Sequence, residues 1–188
     1  MKQFFFLLTI VLFITSCGGD DDGDLGRITF IGRDAGWVIA SINSDLGEKS
    51  SAAVAATSDE DIAMTGQTRA EVEQQFIDLT LAETSVDNCD RDDVLFFLDN
   101  GQMRIIQGAE VCPEAGDPTV LMGFNDNFYS SDLGATMLVI RSDDGVELET
   151  YTVEELNAST FSLRTTRTFS NLLVGSFTYE VSYTLQAN

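Results

Sequence analysis

The chain has 188 residues, with ten basic against 31 acidic residues, a formal net charge of −21 and no histidine. The negative charge repels phosphate backbones and argues against nucleic-acid binding. The absence of histidine removes the usual general base at neutral pH, the Ser–His and Cys–His nucleophile pairs, and most zinc or iron sites. We therefore predict that the protein is not an enzyme and holds no metal or cofactor.

The first residues have the layout of a secretory signal. Lys2 precedes an uncharged run over residues 4–14, and this run is shorter than the roughly 20 apolar residues that a bilayer requires. The sequence ITSC that follows resembles the bacterial lipobox, which implies acylation of Cys17 after removal of residues 1–16. The alternative is an ordinary signal peptide with a chance cysteine.

Residues 17–27 predict an acidic, flexible tether, because they carry four aspartates and Leu25 is the only large apolar residue after Cys17 and before Ile28. This stretch is similar to the acidic surface-export tethers of Bacteroidota lipoproteins. The similarity implies a protein held on the outer membrane by acyl chains and exposed at the cell surface. The alternative is the periplasmic face, with the tether as a simple spacer.

Residues 28–188 are long enough for one domain with a real core. The two cysteines in this domain, Cys89 and Cys112, are expected to pair in an oxidising compartment. Two free thiols are the alternative.

The domain begins with a predicted strand over residues 36–43, followed by a loop or weak helix over residues 50–58. Thr68 and Glu71 form a capping box, and the apolar stripe that follows predicts a helix over residues 69–82. We expect this helix to close one end or side of a sheet rather than to bind a partner.

From residue 93 onward the sequence predicts short strands separated by turns. Asn100-Gly101 and Asp144-Gly145 indicate type I′ hairpins. Residues 125–129, a polar stretch ending in two aromatics, are predicted to be an exposed contact loop. The predicted strands are 94–98, 102–107, 119–124, 135–141, 146–155, 159–169 and 174–186.

Together with the first strand these segments make eight. Eight strands in hairpin order predict an all-β fold with one added helix, an antiparallel up-and-down barrel, because closure removes exposed sheet edges. A β-sandwich is the alternative.

Alternation places Arg167 in phase with the core residues Phe161 and Leu163, and places Tyr179 and Tyr183 on an inward face of the last strand. A buried guanidinium requires acceptors or a carboxylate. Arg167 is therefore predicted either to anchor a ligand head group or to be a structural arginine that covers Trp37 or pairs with an internal acid.

The segment CDRDDVLFFLDNGQMRIIQGAEVC (residues 89–112) and the later YTVEELNASTFSLRT (residues 151–165) resemble the lipocalin-like domain of Bacteroidota lipoproteins. The resemblance implies a lipocalin-like barrel with Trp37 near its floor, Phe97 inside, and Cys89 bridged to Cys112.

The resulting expectation is a lipid-anchored envelope protein whose barrel holds a small hydrophobic or amphipathic ligand, with Arg167 meeting a carboxylate or phosphate head group. The alternative is a structural or interaction protein whose filled barrel engages an envelope protein or a glycan. The aromatic residues predicted to line the ligand are Trp37, Phe97, Phe161, Tyr179 and Tyr183.

Overall fold

The computed structural model describes residues 30–110 and 127–188. The signal, Cys17, the tether, Cys112 and the predicted strand 119–124 therefore lie outside the described residues. No helix within the described ranges is long and apolar enough to cross a membrane.

The described chain contains eight strands, with four helices inserted between the first and the second. The helices are α1 (Leu46–Ala56), α2 (Asp59–Met64), α3 (Arg69–Thr84) and α4 (Asn88–Arg91). The strands are β1 (Trp37–Ser44), β2 (Val94–Phe97), β3 (Met103–Ile106), β4 (Phe128–Ser131), β5 (Met137–Arg141), β6 (Glu147–Leu156), β7 (Thr160–Asn171) and β8 (Gly175–Ala187).

All eight strands belong to one antiparallel sheet in the order β3-β2-β1-β8-β7-β6-β5-β4. The two outer strands also meet, because the Met103 amide donates to the Asn127 carbonyl at 2.7 Å and the Tyr129 amide donates to the Gly101 carbonyl at 2.7 Å. Sequence neighbours are thus sheet neighbours around the ring. The predicted up-and-down barrel is confirmed, and the β-sandwich alternative is wrong.

Strand β4 corrects one prediction. Phe128 and Tyr129 were expected at the end of an exposed loop, but they begin a strand that pairs with β5. The Tyr129 ring packs against Phe97 with centroids 5.0 Å apart, and its hydroxyl donates to the Leu98 carbonyl at 3.1 Å. Phe128 and Tyr129 therefore belong to the barrel wall and not to an exposed loop. Residues 125–126 lie outside the described part of the chain.

Both predicted hairpins form, but with a different turn. In each, three residues separate a pair of hydrogen-bonded ends, Leu98 with Gln102 and Ser142 with Val146. Gly101 and Gly145 have φ of 82° and 84°, while the preceding Asn100 and Asp144 do not have positive φ. A type I′ turn needs positive φ at both central residues, so these are three-residue loops that end in a left-handed glycine.

Helix α3 confirms the prediction over residues 69–82, and its capping box is present: the Thr68 hydroxyl accepts from the Glu71 amide while the Glu71 carboxylate accepts from the Thr68 amide. Helix α1 occupies the segment predicted as a loop or weak helix. Its inner face consists of Leu46, Ser50 and Val54. Ser50 can be buried there because its hydroxyl donates to the Gly47 carbonyl, which replaces a hydrogen bond to water.

Two clusters of buried apolar residues result. The larger fills the barrel and includes Trp37, Phe97 and Phe161. The smaller, which we call the cap cluster, lies where the helices cover the far end of the β7–β8 hairpin. Its buried members Val54, Ile62, Val72 and Phe76 pack against Phe169, Leu173, Val174 and Phe177 of that hairpin.

The barrel wall is incomplete on one side. The β6–β7 ladder ends at Thr152 opposite Arg164, although β5–β6 pairing continues to Glu147 and β7–β8 pairing continues to Asn171. Strands β6 and β7 therefore diverge toward the end of the barrel that the helices cover.

Candidate functional site

The aromatic residues predicted to line a ligand mostly pack on one another. Trp37 and Phe161 have no exposed surface, and their rings lie 5.4 Å apart. Phe161 also contacts Phe97 at 5.7 Å, and Tyr183 contacts Tyr151 at 5.8 Å. These aromatic side chains therefore belong to the packed apolar cluster inside the barrel.

Trp37 makes two further contacts. Its indole nitrogen donates to the Ile31 carbonyl at 3.0 Å, and the Arg33 guanidinium lies 5.0 Å from the centre of its ring. Arg33 also donates to the Ala158 carbonyl at 2.6 Å. The arginine that covers Trp37 is thus Arg33 and not Arg167.

Arg167 points into the barrel, as predicted, and pairs with two acids of the protein. Its Nε and Nη2 donate to the two oxygens of Glu149 at 2.9 and 3.0 Å, and its Nη1 donates to Glu83 at 3.1 Å. Nη2 also donates to the Tyr183 hydroxyl at 3.0 Å. Every nitrogen of the guanidinium donates a hydrogen bond within the protein. Of the two predicted roles, the structure therefore shows the pairing with an internal acid.

Glu83, near the end of α3, was not predicted, and it joins the helices to the barrel. Its side chain is only 15 % exposed. Besides Arg167, it accepts from the Tyr179 hydroxyl at 3.0 Å and from the Ser44 hydroxyl at 2.9 Å. We call Glu83, Glu149, Arg167 and the tyrosines bonded to them the mouth network.

In the mouth network, the pKa values of one glutamate and three tyrosines are shifted from their usual values. Burial opposes ionisation of Glu149, but hydrogen bonds from Arg167 and Tyr151 outweigh it and hold the pKa of Glu149 below its usual value. Burial, assisted by Glu83, raises the pKa of Tyr179 to about 12. Burial likewise raises the pKa values of Tyr151 and Tyr183. At neutral pH Glu149 is therefore charged and the three tyrosines are neutral.

An open cleft of about 660 Å³ lies beside the cap cluster, between α2, α3 and the turn of the β7–β8 hairpin. We call it the hairpin cleft. Its apolar floor includes Val72, Phe76, Phe169 and Leu173. Phe76 meets Phe169 edge to face at 5.2 Å, and Phe169 stacks on Phe177 at 5.3 Å.

The rim of the hairpin cleft exposes large apolar side chains to solvent. Leu172 is fully exposed, Met64 is 74 % exposed and Leu79 is 46 % exposed. All three line the cleft. The hairpin turn has the sequence NLLVG, whereas turns usually consist of polar residues and glycine. This unusual apolar turn is the sequence feature that could have indicated the cleft.

A second cleft of about 640 Å³ lies where β6 and β7 diverge, and its lining is polar. Arg167 lines it, whereas the predicted ligand residues Trp37, Phe97, Phe161, Tyr179 and Tyr183 line neither cleft. Of the predicted ligand residues, only Arg167 therefore lines one of these two clefts, although it is also bonded to Tyr183.

Among the described residues, no group of three or more acidic or cysteine side chains is arranged to hold a metal ion. Cys89 is buried in α4 and disulfide-bonded. Its predicted partner Cys112 lies outside the described ranges, so the pairing stays a prediction.

No family model, no curated protein and no solved structure matches this chain.

Proposed function

We propose that this chain is a lipid-anchored, non-enzymatic binding protein of the outer membrane, which takes a small apolar or amphipathic molecule in the hairpin cleft. The observation that carries the proposal is a cleft with an apolar floor and a solvent-exposed apolar rim. Its volume of about 660 Å³ falls within the range of roughly 300–1,000 Å³ that is typical of small-molecule sites.

The burial pattern supports a site in the cleft rather than inside the barrel. Most of the inward aromatics are buried against one another, and the Arg167 guanidinium already donates to Glu83 and Glu149, so a ligand there would have to displace contacts that the protein makes itself. The rim residues Met64 and Leu172, by contrast, leave apolar surface in water. Covering that surface provides the hydrophobic driving force for binding.

Nile red, a neutral apolar dye, tests the cleft directly. We expect the chain carrying Cys17→Ser, which has no acyl chain of its own to compete, to bind the dye saturably. Leu172→Glu in that background is expected to weaken binding about tenfold, because it places a charge at the apolar rim. Fluorescence titration measures both dissociation constants.

Leu133→Glu is the matched control, since Leu133 is 81 % exposed and does not line the cleft. It should leave dye binding unchanged. Absence of saturable binding, or equal weakening by both variants, would reject the cleft. The second candidate function, a filled barrel that engages an envelope protein or glycan, would then be favoured by the packed aromatic interior.

The anchor is tested separately. Cys17→Ser is expected to move most of the protein from the membrane fraction to the soluble fraction, because stable attachment requires the acyl chains. Ser16→Ala keeps a small residue before the cysteine and should leave the protein with the membranes. Immunoblots of fractionated cells report the result, and membrane retention of Cys17→Ser would contradict the proposed lipidation.

A further inference from the structure

The charges around the hairpin cleft restrict the ligand that it can hold. Asp61 is the only ionisable side chain among the described residues that line it. The other polar lining groups are neutral amides and a hydroxyl, which belong to Gln67, Gln75, Asn171 and Thr65. Neutral groups of this kind can hydrogen-bond a hydroxyl head group, and their oxygen atoms can face a cationic head group without a charge partner.

The nearest arginine along the chain, Arg69, is already committed to other groups. Its guanidinium donates to the Asp59 carboxylate at 2.6 and 2.9 Å and to the carbonyls of Val54 and Thr57. It does not line the cleft. No described side chain therefore offers a positive charge to a ligand there.

The surrounding field has the same sign. Asp59 and Glu60 precede Asp61 on α2, Asp78 is on α3 beside Leu79, and the whole chain carries a net charge of −21. A negative field concentrates cations and repels anions near the surface. An anionic head group at this cleft would meet Asp61 with nothing to offset the repulsion.

We propose that the hairpin cleft selects amphiphiles whose head group is neutral or cationic and rejects those with a carboxylate or phosphate. This inference rests on the proposed function. It reverses the head-group expectation drawn from Arg167, because that arginine is bonded to Glu83 and Glu149 in the mouth network.

The test is displacement of Nile red from the Cys17→Ser chain by three amphiphiles with alkyl chains of nearly equal length: decanol, decyltrimethylammonium and decanoate, each below its micelle concentration at about pH 7.5. We expect decanol and decyltrimethylammonium to displace the dye at concentrations about tenfold lower than decanoate. Asp61→Asn should reduce this difference in displacing concentration to about threefold, since it removes the charge inside the cleft.

Glu60→Gln is the matched control, because it removes one negative charge from the same helix at a residue that does not line the cleft. This variant should retain most of the difference in displacing concentration between decanoate and the other two amphiphiles. Equal displacement by all three amphiphiles, or a preference for decanoate, overturns this inference while the proposed function stands. A failure of every amphiphile to displace the dye counts against both.

Discussion

Replacing Arg167 by leucine is expected to lower the free energy of unfolding by about 3 kcal/mol at neutral pH. The substitution leaves Glu83 and Glu149, whose side chains are 15 % and 23 % exposed, without their positive partner. Removing one member of a buried ion pair is costly because the remaining charge stays desolvated. Urea denaturation followed by circular dichroism measures the loss.

Arg164→Leu provides the comparison on the same strand. Arg164 lies on the outer face, where it meets Glu154 at 2.9 Å and Glu180 at 3.5 Å, and its side chain is 41 % exposed. Exposed ion pairs contribute about 0–1 kcal/mol, so this variant should lose less than about 1 kcal/mol. Equal losses for the two arginines would show that the mouth network contributes no more than a surface pair.

The cost of Arg167→Leu should also depend on pH. In the native protein the folded-state pKa of Glu149 lies below its usual 4.5, so its stabilising contribution is present above about pH 4.5 and is lost as the pH falls through the folded-state value. Without Arg167, the hydrogen bonds from Tyr151 and Thr165 still favour the carboxylate, but the guanidinium no longer offsets burial, so the pKa of Glu149 rises relative to the native protein. The stability difference between native and variant should therefore narrow below about pH 4.5, and a difference that widens would contradict this assignment.

Truncating Phe161 to alanine is expected to cost about 3–5 kcal/mol, the range for a fully buried aromatic side chain. Phe161 has no exposed surface and touches both Trp37 and Phe97, so its removal leaves a cavity bounded by the rings that it separates. In a domain of this size such a loss lowers the melting temperature by roughly 8–15 °C. Thermal denaturation checks this value.

The same variant distinguishes a packed core from a ligand pocket. If the interior is filled by its own side chains, Phe161→Ala should reduce stability and leave Nile red affinity unchanged. If Phe161 lines the ligand, affinity should fall with little loss of stability. Leu133→Ala, at an exposed turn position, should change stability by no more than about 0.5 kcal/mol and controls for truncation as such.

The strands were predictable because most of them alternate between inward and outward residues over many positions. Strand β4 was not, since Phe128–Ser131 is only four residues long and its place depends on β5 on one side and, on the other, on a bridge from Phe128 to Gln102, which is distant in sequence. Helix α1 was uncertain because a buried serine occupies the middle of its inner face. In both segments, tertiary contacts supply what the local pattern lacks.

The inward position of Arg167 followed from alternation, but the identity of its partners required the fold. Glu149 is in phase with the buried Tyr151 and Val153 of β6, and this pattern could have identified it. Glu83 lies four residues after Leu79 on the apolar stripe of α3, at a sequence separation of 84 from Arg167. No local pattern pairs residues that far apart. The hairpin cleft likewise depends on where the helices pack, so sequence alone did not locate it.

The position of Glu83 also has a consequence for how the molecule unfolds. Apolar packing attaches the helices to the barrel through the cap cluster, at the far end of the β7–β8 hairpin. Detaching α3 also withdraws Glu83 from Arg167, Tyr179 and Ser44 at once. Three barrel side chains would then each lose a hydrogen bond to the helical layer. The two layers are thus thermodynamically coupled, and the domain should denature as a single cooperative unit.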